Sequence, residues 1–316
     1  MDKSNVNPRV NLSLDRRSRA VNGTKNALMG IFRFIIIVGI SYVILAHVIG
    51  IISRSFFSRQ DSINPMVFTI PISPTFDRYV MAVKHLNYLP VLGRTLLYVF
   101  GVTLIQLLVC SMVGYGFARY SFPFKKLLFA FIVVMIVVPL NTIQFPLYMT
   151  FRYFGVGEKT INLLKTPWPT VILSMFGCGL RSGLYIYIFN QFFRGLPKEI
   201  EEAALVDGAG SWYTYFRIML PNAAPAMITV AVFSIVWQYN DSFFANTFNI
   251  PDSIILTRKL DSLINVIANA EKILTISEQQ LYFDAGVVLT LLPVVIIYLV
   301  LQRRFIEGVE RSGIVG

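Results

Sequence analysis

GLPKEIEEAALVDGAGSWYTYFRIMLPNAAP, from Gly195 to Pro225, separates two apolar runs and reads as two short helices joined by a glycine turn. Pro197 suits the first position of a helix, and Glu199, Glu201 and Glu202 fall in the early turns, where negative charge favours the helix dipole. Gly208 and Gly210 end that helix, and Ser211 is placed to cap a second, aromatic-rich one that stops at Pro221. A compact elbow of this kind can enter a partner's groove and pass rigid-body movement to the helices on either side. An ordinary surface loop between two membrane helices would read the same way.

What lies around the elbow is apolar. The chain has 316 residues, is 55% hydrophobic and 14% charged, and has a mean hydropathy of +0.62, too apolar for a soluble domain of that size. A helix crossing the hydrocarbon needs ~20 mainly apolar residues. Six runs qualify as candidate crossings: Leu28 to Ile52, Leu96 to Ala118, Leu127 to Tyr148, Val171 to Phe193, Asn222 to Phe244 and Phe283 to Leu301. The expectation is an all-α, polytopic membrane protein with six transmembrane helices. It divides into an N-terminal tail (1–27), a first helix with its external loop (28–95), a core (96–301) that carries the elbow at 194–221, and a C-terminal tail (302–316). The first run is too long for a signal-peptide core and is followed by further spans, so it is kept as a helix. Residues 1–27, with Arg16, Arg17, Arg19 and Lys25, lack helical apolar periodicity and read as a mobile tail with at most an interfacial turn. The segments Ser53–Thr95, Arg152–Thr170 and Ala245–Tyr282 read as loops.

The net charge of +11 is scattered between apolar runs and forms no single basic stripe, which argues against nucleic acid and for a membrane. Lys and Arg are denser on the side that holds both termini, the short turn Arg119–Lys126 and the elbow, and this puts those parts in the cytoplasm. Cys110 and Cys178 lie in apolar segments, and His47 and His85 are far apart; no metal site is expected.

Glu202, Ala203, Ala204, Gly208, Ile218, Leu220 and Pro221 match the EAA signature of ABC importer permeases. The fuller run EEAALVDGAG, with Asp207 before Gly208, resembles the MalG-like permeases of carbohydrate importers; Trp237 with Asn240 and Asp241, and the ending QRRFIEGVERSGIVG, agree with that branch. The resemblance covers roughly Leu96 to Gly316. It implies a six-helix permease of the type I importer fold in a bacterial cell membrane. Its partners would be a MalF-like second permease, two ABC ATPase subunits and an extracellular solute-binding protein that delivers a carbohydrate. It also implies that the elbow docks in a cleft of the ATPase. Glu202 would make a charge contact there, Ala203 and Ala204 would allow close packing, Gly208 would form the turn, and the C-terminal tail, with Glu307, Gly308, Glu310 and Gly313, would approach the ATPase dimer. ATP and Mg would be held by the partner subunits, since no GxxxxGK[ST] loop occurs here and no cofactor is expected in this chain.

Polar residues inside the spans face a bundle interior or a water-filled cavity. Asn141, Gln144, Asn240 and Asp241 fall in the outer half, with Gln106 and Arg181 near the middle. Together with Trp237 they could line a hydrated vestibule for sugar hydroxyls and ring faces, or they could simply bond helix to helix. Pro139 and Pro146 should kink the third span, while Gly177, Gly179 and Gly183 allow close approach in the fourth. A membrane enzyme would need a nucleophile with a placed base, or a metal cluster; an ion-coupled carrier would have no use for the elbow. A non-sugar solute on the same fold stays open.

Overall fold

The computed structural model describes residues 8–157, 159–271 and 275–313, with side chains described at 25, 27–157, 159–270, 275–276 and 278–302. The N-terminal segment expected to be irregular is helical from Pro8, and α1 (Pro8–Arg54) runs unbroken through the first apolar run. A proline is tolerated in the first helical turn, and a helix already nucleated in an apolar run propagates cheaply.

The expected external loop 53–95 is largely helical. The Ser58 hydroxyl accepts from the Asp61 amide at 3.1 Å and the Asp61 carboxylate from the Ser58 amide at 3.2 Å, a reciprocal cap that starts α2 (Arg59–Ile63). Next, α3 (Asp77–Leu86) ends at Asn87, whose left-handed φ of 48° turns the chain into α4 (Tyr88–Arg119), eight residues before the expected start of that span. Val91, Thr95, Tyr98, Val99, Val102, Gln106 and Cys110 form a buried stripe at helical spacing on α4.

The third apolar run is α5 (Lys125–Val137), a 3-10 turn at Leu140–Ile143 and α6 (Gln144–Arg152). The two halves meet at 104°, with Pro139 at the break and Pro146 inside the first turn of α6. Then β1 (Phe154–Val156) pairs antiparallel with β2 (Lys159–Ile161) where a loop was expected. The fourth run is broken into α7 (Trp168–Met175) and α8 (Ser182–Gly195) by 176–181, where Gly177 and Arg181 both hold positive φ.

The elbow comprises α9 (Glu199–Val206) and α10 (Ser211–Tyr213), which continues through a π-helical turn at Thr214–Met219 into α11 (Leu220–Asn222). A bend of 75° at Ala223 leads to α12 (Ala224–Tyr239). The last expected loop holds α13 (Phe243–Thr247) and α14 (Leu256–Glu271), and α15 (Ile276–Gly313) begins before and ends beyond the expected sixth span, so the C-terminal segment read as a tail is helical as far as Gly313. The side chains of Glu307, Gly308, Glu310 and Gly313 lie outside the described ones, as do residues 1–7 and 314–316.

Among the described residues three helices are long and apolar enough to cross a membrane, Ala27–Arg54, Tyr88–Arg119 and Glu278–Gln302, and five crossings result if each bent pair counts as one. The sixth expected crossing is the run divided at 176–181. All-α architecture holds apart from the short hairpin.

Helices α4, α7, α8, α12 and α15 pack around two apolar cores, one of which reaches the elbow through Tyr115, Phe193, Tyr215 and Met219. Close approach of α4 and α8 depends on Gly114, where a Cβ would sit 2.5 Å from the Phe189 Cβ. At the other end of α4 a third core forms a helical cap, in which Leu256, Leu260, Leu263 and Ile267 of α14 meet Ala82, Leu86, Tyr282 and Ala285.

Candidate functional site

The first elbow helix starts at Glu199 with Lys198 at its N-cap, two residues after Pro197, and the second is preceded by Gly210 at the N-cap with no bond from a side chain. The expected cap by Ser211 is therefore corrected: Ser211 is already the first helical residue. Gly208 is where the turn is made, with φ of 82°. The Ala209 amide donates to the Ala204 carbonyl at 3.0 Å and the Gly208 amide to the Leu205 carbonyl at 3.1 Å, so the end of α9 satisfies its own carbonyls.

The two faces of α9 differ. On the inner face Ala204 is buried, and the Glu201 carboxylate accepts from the Tyr115 hydroxyl at 2.6 Å and pairs with the Arg119 Nε at 3.2 Å. Both partners of that ion pair are largely buried, with side chains 5% and 14% exposed. Arg119 also donates to the Leu196 carbonyl at 2.8 Å, and the Tyr215 and Ser111 hydroxyls lie 2.7 Å apart. On the outer face Glu202, Ala203, Asp207 and Gly208 are exposed. Of these, Asp207 and Gly208 line an open cleft of ≈ 570 Å³ together with Ala204, Ala209, Gly210, Tyr213 and Ile218. Ile218 and Leu220 are half-buried and Pro221 is exposed. Of the signature residues Ala204, Gly208 and Ile218 line this cleft, with Ala204 the buried one, while Leu220 and Pro221 lie just before the bend into α12.

Of the residues expected to line a vestibule, Gln106 is fully buried and bonded. Its amide nitrogen donates to the Leu180 carbonyl at 2.9 Å and the Ser182 hydroxyl at 3.1 Å, and its oxygen accepts from Ser234 at 2.7 Å and Gln238 at 3.3 Å. Arg181 is exposed at the helix break, its guanidinium 4.3 Å from the centroid of the Trp237 ring. Asn240 is exposed and donates to the Val236 carbonyl at 2.9 Å. Asp241 is buried, and its carboxylate accepts from the Phe244 amide at 3.1 Å at the start of α13. Asn141 and Gln144 are exposed at the bend of the third run. Arg181 and Trp237 are brought together; Gln106 is bonded inside the protein, and the second carboxylate oxygen of Asp241 is buried without a hydrogen-bond partner.

Residues 110–311 match the family model described as binding-protein-dependent transport system inner membrane component. The chain belongs to this family. It is 28% identical over 280 residues to a probable ABC transporter permease protein of Pyrococcus horikoshii, covering 86% of this chain and 92% of that one. It is 28% identical over 305 residues to the diacetylchitobiose uptake system permease protein of Streptomyces coelicolor, covering 96% and 91%. With the trehalose transport system permease protein of Mycobacterium tuberculosis it shares 27% over 247 residues, 78% of this chain and 84% of that one. A crystal structure of a bacterial ABC transporter involved in the import of the acidic polysaccharide alginate contains a chain that superposes with a TM-score of 0.73 at 19% identity, over 89% of this chain and 98% of that one, a likeness of fold.

For a permease of this family the residues that tie the elbow to the bundle were not legible from the signature. Glu201 sits beside the signature glutamate, and its partners are far away in sequence. One signal was available: Ser111, Tyr115 and Arg119 recur every fourth residue, which puts three polar groups on one face of α4 at the end nearest the elbow.

Proposed function

We propose that this permease is the membrane subunit of an ATP-driven importer of a sugar or oligosaccharide, multi-pass in a bacterial cell membrane with both termini in the cytoplasm. A second, MalF-like permease completes the pathway in the bilayer, an extracellular solute-binding protein delivers the carbohydrate, and two partner ATPase subunits bind ATP and Mg. The chain itself is the non-catalytic transport component. The core at 96–301 forms this half of the pathway, following the first helix and external loop (28–95), and the elbow at 194–221 is its coupling element.

The observation that carries the reading is the division of α9 into two faces. Glu201 is held to α4 by the Tyr115 hydroxyl and a largely buried ion pair with Arg119, while Glu202, Ala203, Asp207 and Gly208 are exposed, the last two on an open cleft with Ile218 on its wall. A partner gripping the outer face moves α4 with it, because a buried ion pair resists separation. Ala204 is buried at the inner side of α9, Leu220 packs against the core that reaches the elbow, and Pro221 lies just before the bend into α12. In the solute path Arg181 and Trp237 present a guanidinium and an indole to passing hydroxyls and ring faces, with Asn141, Gln144 and Asn240 at the exposed outer positions; Gln106 and Asp241 hold the frame.

The relatives named for diacetylchitobiose and trehalose support a carbohydrate as cargo. The test is uptake of labelled oligosaccharide by cells that express the complete transporter. Glu202→Lys should cut uptake at least tenfold while the protein still inserts and co-purifies with its second permease. Undiminished uptake by that variant at native expression would remove the coupling role.

A further inference from the structure

At the end of α4 away from the elbow, a pocket of ≈ 390 Å³ opens between α2, α3 and the start of α15. Its walls include Arg59, Thr75, Asp77, Arg78 and Tyr282. Arg78 is unusual among them: it is only 8% exposed, its guanidinium lies 4.4 Å from the centroid of the Tyr282 ring, and its buried Nε has no hydrogen-bond partner. Among the described residues no carboxylate forms an ion pair with it. Arg59, which shares the pocket, is already matched, its Nε 2.6 Å from Glu278.

A buried cation without an ion-pair partner is costly to maintain, and each such group in a native protein calls for an explanation, a bound ion among them. Tyr282 covers one face of the guanidinium, and Arg78 is among the residues that line the pocket. The partner that matches such a fork is planar and anionic, and a carboxylate meets both conditions. Asp77 opposes this charge. It is exposed and lies in the first turn of α3, where it complements the helix dipole without pairing to Arg78. Its presence predicts moderate affinity, which is relieved when it is neutralised.

We propose that the pocket around Arg78 binds a carboxylate. The group can be supplied by an acidic side chain of the docked extracellular receptor, a source that rests on the function proposed above, or by a free acidic solute. Two arms separate these sources. In the first, thermal unfolding of the purified complex is followed with sodium glucuronate, with glucose at equal ionic strength as the neutral control. Glucuronate should stabilise the wild type, Asp77→Asn should need several-fold less of it, and Arg78→Gln should lose the response. In the second, ATP hydrolysis by the complete transporter in lipid nanodiscs is titrated with receptor, and Arg78→Gln should raise the half-saturating receptor concentration about tenfold, with partial recovery in Arg78→Lys. A response in either arm supports the site and names its source.

If glucuronate fails to stabilise the wild type or Asp77→Asn, and receptor titrations of wild type and Arg78→Gln coincide, the proposal is overturned. The glucuronate arm needs no variant that risks misfolding. A complex without any ATPase activity would defeat the importer reading instead, and the first arm would still decide the pocket.

Discussion

Residues 176–181 and 207–210 each stop a helix with a left-handed residue and restart it within a few positions, and both close on their own backbone, the Cys178 amide donating to Leu173 as the Ala209 amide does to Ala204, yet only the first is also pinned by another helix. At the first, Gly177 and Arg181 have φ of 70° and 61°, and the freed carbonyl of Leu180 is taken by Gln106 of another helix. A Cβ on Gly179 would lie 2.5 Å from the Ser174 hydroxyl and 2.9 Å from the Gln106 amide, so the segment is fixed by what surrounds it. At the second, the turn closes on its own backbone, and a Cβ on Gly208 would meet nothing within 4 Å. A break that neighbours also bond cannot shift without unmaking those bonds, whereas one closed on its own backbone alone can move as a rigid piece. The elbow's ties to the bundle are side-chain contacts at its base, chiefly Glu201 with Arg119 and Tyr115.

The comparison breaks most sharply at that base. Glu201→Ala leaves the buried Arg119 uncompensated and should cost about 3 kcal/mol. Thermal unfolding in detergent and protease cleavage within 195–210 would both register it. Glu202→Ala, one residue away and exposed, should leave both measurements within about 0.5 kcal/mol of wild type. If the two variants behave alike, the two faces of α9 are not distinct.

Gln106→Leu tests the other break. It removes the donor to Leu180 and the acceptor for Ser234, leaving buried polar groups unmatched at a cost of about 2 kcal/mol. The unfolding temperature should fall while the proteolysis pattern of the elbow stays unchanged, because nothing in 207–210 depends on Gln106.

How far the sequence anticipated these features follows from what each signal measures. Hydropathy located the apolar runs, and Pro139 and Gly208 marked a bend and a turn because backbone chemistry leaves few alternatives at such residues. Hydropathy did not register the break at 176–181, since Val171 to Phe193 stays apolar whether or not the backbone is helical. The cap at the end of α4 away from the elbow was taken for loops because its helices have low mean hydropathy, although Leu256, Leu260, Leu263 and Ile267 carried a readable amphipathic period. Residues 8–27 become helical by continuation from the span, a cooperative effect that no local periodicity reports. In the elbow, the signature covers the turn but not Glu201, whose partners lie on a helix eighty residues earlier.

The mildest test distinguishes conformation from contact at the turn. Gly208 is surrounded by open space, so the cost of a side chain there is that of a left-handed φ, about 1 to 2 kcal/mol for a β-branched residue. Gly208→Val should therefore unravel the last turn of α9 and lower transport with little loss of global stability. Gly208→Asn, which tolerates the same φ, should recover most of the transport. Solute-stimulated ATP hydrolysis measured alongside uptake reads both effects. If Asn and Val are equally defective, the partner's groove excludes any side chain at 208, and the glycine is kept for the contact it permits. Full recovery by Asn places the requirement in the backbone, the result expected of a turn that satisfies itself.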